Sequence, residues 1–205
     1  MQPSARLFIN VDGKDKSYIL WNGTESYYKK LRLAYSDIVN SQQTDYLYFG
    51  FFTLCAATLE YSLNFILTNF CLDEFGLSKY KPQAKKYISL PFAEKLKKSA
   101  SIISKGEFVV NKNSNSYQIL LELITLRNRI LHNKEFLTEF DFSFVLEKEI
   151  RKEIEFQIEV IPNYIDTLTK NKCISFGKAL GDFKKFIMTP ALIHKLAENK
   201  MVHTT

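Results

Sequence analysis

Three side chains with catalytic potential, Arg127, Asn128 and His132, fall within six consecutive residues of this 205-residue chain. Histidine titrates near neutral pH and can act as a general base or a general acid. Arginine stays charged and can contact two phosphate oxygens at once. Asparagine can donate to a phosphate oxygen or fix the tautomer of a histidine one helical turn away. These residue types suit acid–base chemistry at a phosphate group.

The residues around this motif predict a helix that is buried along most of its surface. Arg127 falls on the apolar face, where a charge is costly unless it has a partner. A separate polar stripe already provides a solvated face, and Arg129 lies on it, so Arg129 could reach a ligand or, as we favour, face solvent. The apolar residues at helical spacing within residues 118–133 are Leu120, Leu123, Ile124, Ile130 and Leu131.

Glu60 is a second charge in an apolar setting. It lies within residues 45–75, which predict a long helix that is apolar nearly all round. This helix is long enough to span a bilayer, but Glu60, Asn64 and Asn69 lie inside it without basic flanks, so a core helix is favoured and no membrane is expected. A buried carboxylate needs a cation or several hydrogen bonds, and Arg127 is the economical partner. We therefore predict a buried Glu60–Arg127 ion pair; the alternative is that Glu60 faces a polar seam or a dimer interface.

The order of residues at 127–132 (Arg, Asn, three free positions, His) resembles the motif of HEPN domains, and LITLRNRILHNK at 123–134 resembles the helix that carries it. The resemblance implies an antiparallel helical bundle with metal-independent endoribonuclease activity of toxin or phage-defence type. Arg127, Asn128 and His132 would be catalytic, the RNA 2′-hydroxyl would attack the adjacent phosphate, and a 2′,3′-cyclic phosphate would remain. It also implies RNA as substrate, a homodimer, and an antitoxin or regulatory protein as the partner that restrains such a toxin.

One copy of the motif does not supply all the catalytic groups that this reaction needs. In a regular helix Arg127 and His132 are about 140° apart, from 100° per residue. A single histidine also cannot be base and acid in the same step. A twofold dimer with its motif helices facing across the axis would supply two copies of each residue, with the basic residues 79–105 near the mouth of the cleft.

Two other functions fit the same residues. The chain could be a non-catalytic HEPN-like helical dimerisation module, in which Arg127, Asn128 and His132 only pair and cap buried helices. It could also be a nucleotide- or RNA-binding module that uses the same cationic pocket. Exposure distinguishes these cases, because a reactive His132 must line an open cleft.

Composition predicts one ordered, mainly α domain over residues 1–205. Apolar residues make up 46% of the chain, with seven glycines and five prolines. The three cysteines, Cys55, Cys71 and Cys173, form no CxxC pair and predict buried, reduced thiols, which favours a cytoplasmic setting. No set of histidine and cysteine ligands has metal-site spacing, and the other histidines, His194 and His203, have no partner in sequence. We therefore expect no metal and no cofactor.

The net charge of +6 is unevenly distributed. Residues 79–105 hold eight lysines against one acid, Glu94, whereas residues 135–159 are mostly acidic. A basic segment suits a polyanion such as RNA. The alternative is a solvated lysine face that binds nothing.

The remaining pattern predicts three sections. Residues 1–22 form an extension in which residues 6–21 predict a β-hairpin. Residues 24–133 form the helical core, with helices at 24–40, 45–75 and 91–103 and the motif helix at 116–133. Residues 134–205 form a C-terminal extension in which 152–161 alternates like a strand, although its isoleucines also allow a helix; the strand could join the hairpin. Two helices and a polar tail are expected after Pro162.

Three boundary signals accompany these helices. Thr24 is the predicted N-cap of the first helix, and Gly76 is predicted to end the second. Ser114 or Asn115 is predicted to cap the motif helix.

Overall fold

The protein is mainly α, as expected. The computed structural model describes residues 5–8, 17–40, 42, 45–132, 164–187 and 201–204. The described helices are α1 (Thr24–Asn40), α2 (Asp45–Ile88), α3 (Phe92–Ile103), α4 (Asn115–His132) and α5 (Lys170–Ile187). The described strands are β1 (Ala5–Phe8), β2 (Tyr18–Trp21), β3 (Phe108–Val110) and β4 (Val202–Thr204).

Helix α2 lies at the centre of the packing. The other four described helices all pack against it, and α5 also packs against α1 and α4. Leu59, Leu63 and Leu67 of α2 are fully buried, together with Leu120 of α4 and Phe176 of α5. By length and composition α2 could cross a membrane, and 56% of its most apolar stretch is buried inside the protein. The core helix of a soluble protein meets the same description.

The predicted break at Gly76 is present, but the chain stays helical beyond it. Gly76 has φ 70° and ψ 169°, a conformation that glycine adopts far more readily than other residues. The sequence pattern predicts no helix between Gly76 and Pro91, and this was wrong because seven of the twelve residues 77–88 are Leu, Lys, Gln or Ala, which are good helix formers. Helix α2 therefore continues to Ile88 with Pro82 inside it.

Two boundaries at the starts of helices can be compared with their predictions. Thr24 is not the N-cap of α1: its buried hydroxyl has no hydrogen-bond partner within the described residues, and its backbone N–H donates to Asn22 Oδ1 at 3.0 Å. Ser114 does cap α4, because its Oγ accepts from the backbone N–H of Tyr117 at 3.3 Å. This fixes the start of the motif helix.

The chain end at Val202–Thr204 is not only a polar tail. Strand β4 pairs antiparallel with β3, with Phe108 opposite Thr204 and Val110 opposite Val202. Phe108, Val110 and Val202 are buried, which explains why these short segments pair. Strand β3 was not predicted, because three residues are too few for a strand periodicity to be recognised.

The N-terminal strands pair as the hairpin prediction requires. Ala5 lies opposite Trp21 and Phe8 opposite Tyr18 in an antiparallel register. The connection between them, residues 9–16, lies outside the described residues, so the hairpin itself stays a prediction. The predicted strand at 152–161 and the second helix after Pro162 also fall outside them, and α5 is the one described helix of that section.

Candidate functional site

Helix α4 holds Arg127 at the boundary between the core and the surface. Leu123, Ile124 and Leu126 are buried just before it, and the Arg127 side chain is 22% exposed. The helix is therefore fixed in rotation by its apolar residues. Its charged residue is carried to the edge of the core, where a partner and a ligand can both reach it.

The predicted contact between Glu60 and Arg127 is present. Arg127 Nη2 donates to Glu60 Oε2 at 3.3 Å, from α4 to α2. The pair is not fully buried, however, because the Glu60 side chain is 36% exposed. Our prediction of a buried pair was wrong in this respect, since Glu60 lies where the α2 surface emerges beside α4. Its contribution to stability must therefore be discounted for solvent screening.

Lys95 of α3 is a third charged member of this site. Its side chain is 4% exposed, its Nζ donates to Asn64 Oδ1 at 2.9 Å, and it lies 3.8 Å from Glu60 Oε1. Burial lowers the pKa of Lys95; the Glu60 carboxylate raises it and the Arg127 guanidinium lowers it further. Lys95 was not predicted as a site residue, because it lies among the lysines of the basic segment 79–105. The available signal was its place beside Phe92, Leu96 and the other buried positions of α3.

The ring of Phe92 completes the arrangement. It lies 5.7 Å from Lys95 Nζ and 5.8 Å from Arg127 Cζ, both within cation–π range. We refer to Glu60, Asn64, Phe92, Lys95 and Arg127 as the Glu60 cluster. Two cations share one carboxylate in it, so the Glu60 cluster carries a formal charge of +1. An anion beside Arg127 would meet a net positive site.

Asn128 connects the Glu60 cluster to the other motif face. Its exposed side chain accepts a hydrogen bond through Oδ1 from Arg127 Nη1 at 3.2 Å. Because α4 remains helical through its last residue, His132, Asn128 and His132 are one turn apart on one face. The hydrogen bond therefore joins the guanidinium to Asn128, whose position on the helix is about 40° from that of His132 at 100° per residue. The backbone of His132 belongs to the described part of the chain, but its side chain does not.

Arg129 is exposed, as we favoured, and it also packs against an aromatic ring. Its guanidinium lies 4.9 Å above the ring of Tyr164. The two residues line a groove of about 460 Å³ on the polar stripe of α4, next to an ion pair of 3.3 Å between Glu122 and Lys172. Arg129 therefore faces a different surface from Arg127.

Half of the basic segment is already neutralised or buried. Lys97 and Lys98 both pair with Glu94, and Lys105 pairs with Glu74 at 2.6 Å. Lys95 belongs to the Glu60 cluster. The remaining lysines lie on the last turns of α2, are exposed and have no ion-pair partner within the described residues; they are Lys79, Lys81, Lys85 and Lys86. We call these four the α2 lysine surface.

The three cysteines are buried and free, as predicted. Burial raises the pKa of the Cys173 thiol to about 11 and raises that of Cys55 as well. Both thiols are therefore held in the protonated form that reacts poorly. Within the described residues, no three His, Cys, Asp or Glu side chains are grouped as a metal site requires.

No protein-family model matches the chain, and neither a curated protein nor a solved structure matches it.

Proposed function

We propose that the protein is a metal-independent endoribonuclease of HEPN toxin or phage-defence type, which works as a homodimer. The observation that carries the proposal is the hydrogen bond from Arg127 to Asn128. It joins a partly exposed guanidinium of a positively charged cluster to a side chain on the helix face that His132 shares. A cation, an amide and a titrating imidazole can then act on one phosphate.

The residues divide the chemistry of cleavage between them. The 2′-hydroxyl of the RNA attacks the neighbouring phosphorus, and the bond to the 5′-oxygen breaks. His132 of one chain removes the proton from the 2′-hydroxyl, and the partner's His132 protonates the leaving 5′-oxygen. Arg127 stabilises the negative charge that develops on the phosphorane oxygens. Asn128 orients the guanidinium.

Glu60 and Lys95 act on Arg127 and not on the RNA. The carboxylate fixes the position of the guanidinium, which lowers the cost of orienting it in the transition state. Because Lys95 shares that carboxylate at its other oxygen, Glu60 does not cancel the charge of Arg127. The 4% exposure of Lys95 leaves it too buried to contact a phosphate. We therefore assign Glu60 and Lys95 as positioning residues.

A non-catalytic helical module is the second candidate, and one observation favours it. Arg127 contacts Glu60, Asn128 and Phe92 at the same time. Such a residue can hold α2, α3 and α4 together without any ligand. In that case replacing Arg127 would lower stability and no RNA would be cleaved.

The test is cleavage of purified total RNA by the wild-type protein in the presence of a chelator. We expect endonucleolytic products that end in a 2′,3′-cyclic phosphate. Arg127→Ala should abolish cleavage, whereas Arg129→Ala, which removes the neighbouring arginine of the same helix, should retain most of it. Products with a 3′-hydroxyl, or activity that disappears in chelator, would contradict the proposed chemistry.

A further inference from the structure

A second cationic groove lies between α1 and α5. Its volume is about 320 Å³, near the lower end of the range for small-molecule sites. The lining residues combine apolar rings, cations and two glycines: Tyr28, Leu31, Arg32, Tyr35, Gly177, Lys178, Gly181 and Lys184. None of them belongs to the Glu60 cluster or to the 127–132 motif.

The floor of the groove is formed by two glycines one turn apart on α5. Gly177 is required by packing, because a Cβ there would lie 2.5 Å from Tyr35 Cδ2. Packing does not require a glycine at position 181, because a Cβ on Gly181 would meet nothing within 4 Å. Glycine is a poor helix former, so its presence inside α5 weakens the helix without improving the packing. What Gly181 does provide is open space above the helix backbone.

The charges around this space favour an anion. Lys184 is neutralised, since its Nζ lies 3.0 Å from Glu25 Oε1, and it also lies 5.1 Å above the ring of Tyr28. Arg32 and Lys178 are exposed on opposite helices and have no ion-pair partner within the described residues. The groove therefore has a net charge of +2 from these four charged residues, with two cations free to bind.

The apolar part of the lining determines what the anion must carry. The apolar wall belongs to α1 and consists of Leu31 and Tyr28, each 5% exposed, and the partly exposed ring of Tyr35. A flat group over Gly181 can lie against this wall, and aromatic rings stack favourably on Tyr35.

We propose that this groove binds a small organic anion with a planar aromatic body. The anionic group contacts Arg32 and Lys178, and the aromatic body occupies the space over Gly181 beside Tyr35. This site is separate from the proposed RNA-cleaving site and does not depend on it.

The test is calorimetric titration of the full chain with 2-naphthyl phosphate at low salt. Inorganic phosphate and 2-naphthol serve as its two halves, and octyl phosphate as an aliphatic anion. We expect 2-naphthyl phosphate to bind about tenfold more tightly than either half or than octyl phosphate, because it alone satisfies the cations and the ring wall together. Higher salt should weaken binding, since the cations are exposed.

Two variants and two matched controls identify the groove. Gly181→Leu fills the open space, and Gly50→Leu is its control, because Gly50 is also an exposed helical glycine with nothing within 4 Å of its Cβ. The double variant Arg32→Gln with Lys178→Gln removes the free cations, and its control, Lys29→Gln with Lys30→Gln, removes two exposed charges of α1 outside the groove. We expect each groove variant to weaken binding about tenfold or more and each control to leave it unchanged.

Three results would overturn the proposal. Wild-type protein that binds 2-naphthyl phosphate no better than 2-naphthol would exclude the anion site. Equal affinities of Gly181→Leu and Gly50→Leu would place the ligand elsewhere. A change of association state caused by Gly181→Leu in light scattering, without ligand binding by the wild type, would make the groove a protein interface instead.

Discussion

Lys95 and Arg127 approach the two oxygens of one carboxylate, at 3.8 Å from Oε1 and 3.3 Å from Oε2 of Glu60. Three helices meet at this point, because Glu60 is on α2, Lys95 on α3 and Arg127 on α4. The carboxylate keeps two cations together that would otherwise repel each other at the edge of the core. Its removal should therefore affect both stability and the orientation of Arg127.

Replacing this carboxylate gives the first prediction. Loss of one partner of a fully buried pair costs about 3–5 kcal/mol; because Glu60 is 36% exposed, we expect Glu60→Gln to cost about 1–2 kcal/mol. Glu94→Gln is the matched control, since Glu94 also pairs with two lysines and is similarly exposed, at 34%, but its lysines lie on the surface. Urea unfolding of both variants measures the difference. An equal loss of stability in the two would show that the cations of the Glu60 cluster are not specially dependent on their carboxylate.

The buried lysine gives a pH-dependent prediction. Because burial lowers the pKa of Lys95 below 10.5, the unfolded chain binds more protons than the folded one between the lowered pKa and 10.5. The free energy of unfolding of the wild type therefore increases as the pH rises through this window. Lys95→Met removes the titrating group, and Glu60 keeps Arg127 as its partner.

We expect Lys95→Met to be as stable as the wild type at pH 7, within about 1 kcal/mol, or more stable. The free energy of unfolding of the variant minus that of the wild type, measured by urea unfolding, should fall as the pH rises towards 10.5. Lys97→Met is the matched control, because it removes an exposed lysine from the same helix. A difference that grows with pH would contradict the sign of the shift.

The sequence predicted Glu60 and Arg127 as site residues but did not predict Lys95. Glu60 and Arg127 could be paired from sequence because each is a lone charge on an apolar helical stripe. Lys95 lies on such a stripe too, but its neighbours Lys97 and Lys98 made the segment resemble a solvated face. A long side chain can extend along an apolar surface, so helical position alone does not show whether a lysine is buried.

The fold was also predicted only in part from the sequence. Helical periodicity located α1, α3 and α4 within a few residues, because their apolar stripes are long. The continuation of α2 past Gly76 and the pairing of β3 with β4 were missed. The pairing of β3 with β4 depends on contacts between distant parts of the chain, which local propensity does not contain. The continuation of α2 was missed because Gly76 and Pro82 are stop signals that outweighed the helix formers around them in the sequence pattern.

The α2 lysine surface gives a prediction about RNA binding. Replacing all four lysines of this surface, Lys79, Lys81, Lys85 and Lys86, by Gln should weaken RNA binding. The slope of the logarithm of the binding constant against the logarithm of the salt concentration should become less steep, by about 0.7 for each phosphate that the lysines no longer neutralise. Replacing the paired lysines Lys97, Lys98 and Lys105 is the control and should have a smaller effect, since each already has an acid partner. Filter binding over a series of salt concentrations measures both. Equal slopes for the two variants would exclude the α2 lysine surface as the RNA-binding surface.

The central claim is that two chains share one cleavage site, since one motif offers only one imidazole. The direct measurement is RNA cleavage by a one-to-one mixture of wild-type and His132→Ala chains, dissociated and reassociated before the assay. His194→Ala chains provide the control, because this variant removes a histidine outside the motif. If mixed dimers are inactive, random pairing leaves about a quarter of the activity of an all-wild-type sample at the same chain concentration, and we predict this result. Retention of about half, in proportion to the wild-type chains, would show that each chain works alone and would contradict the shared site.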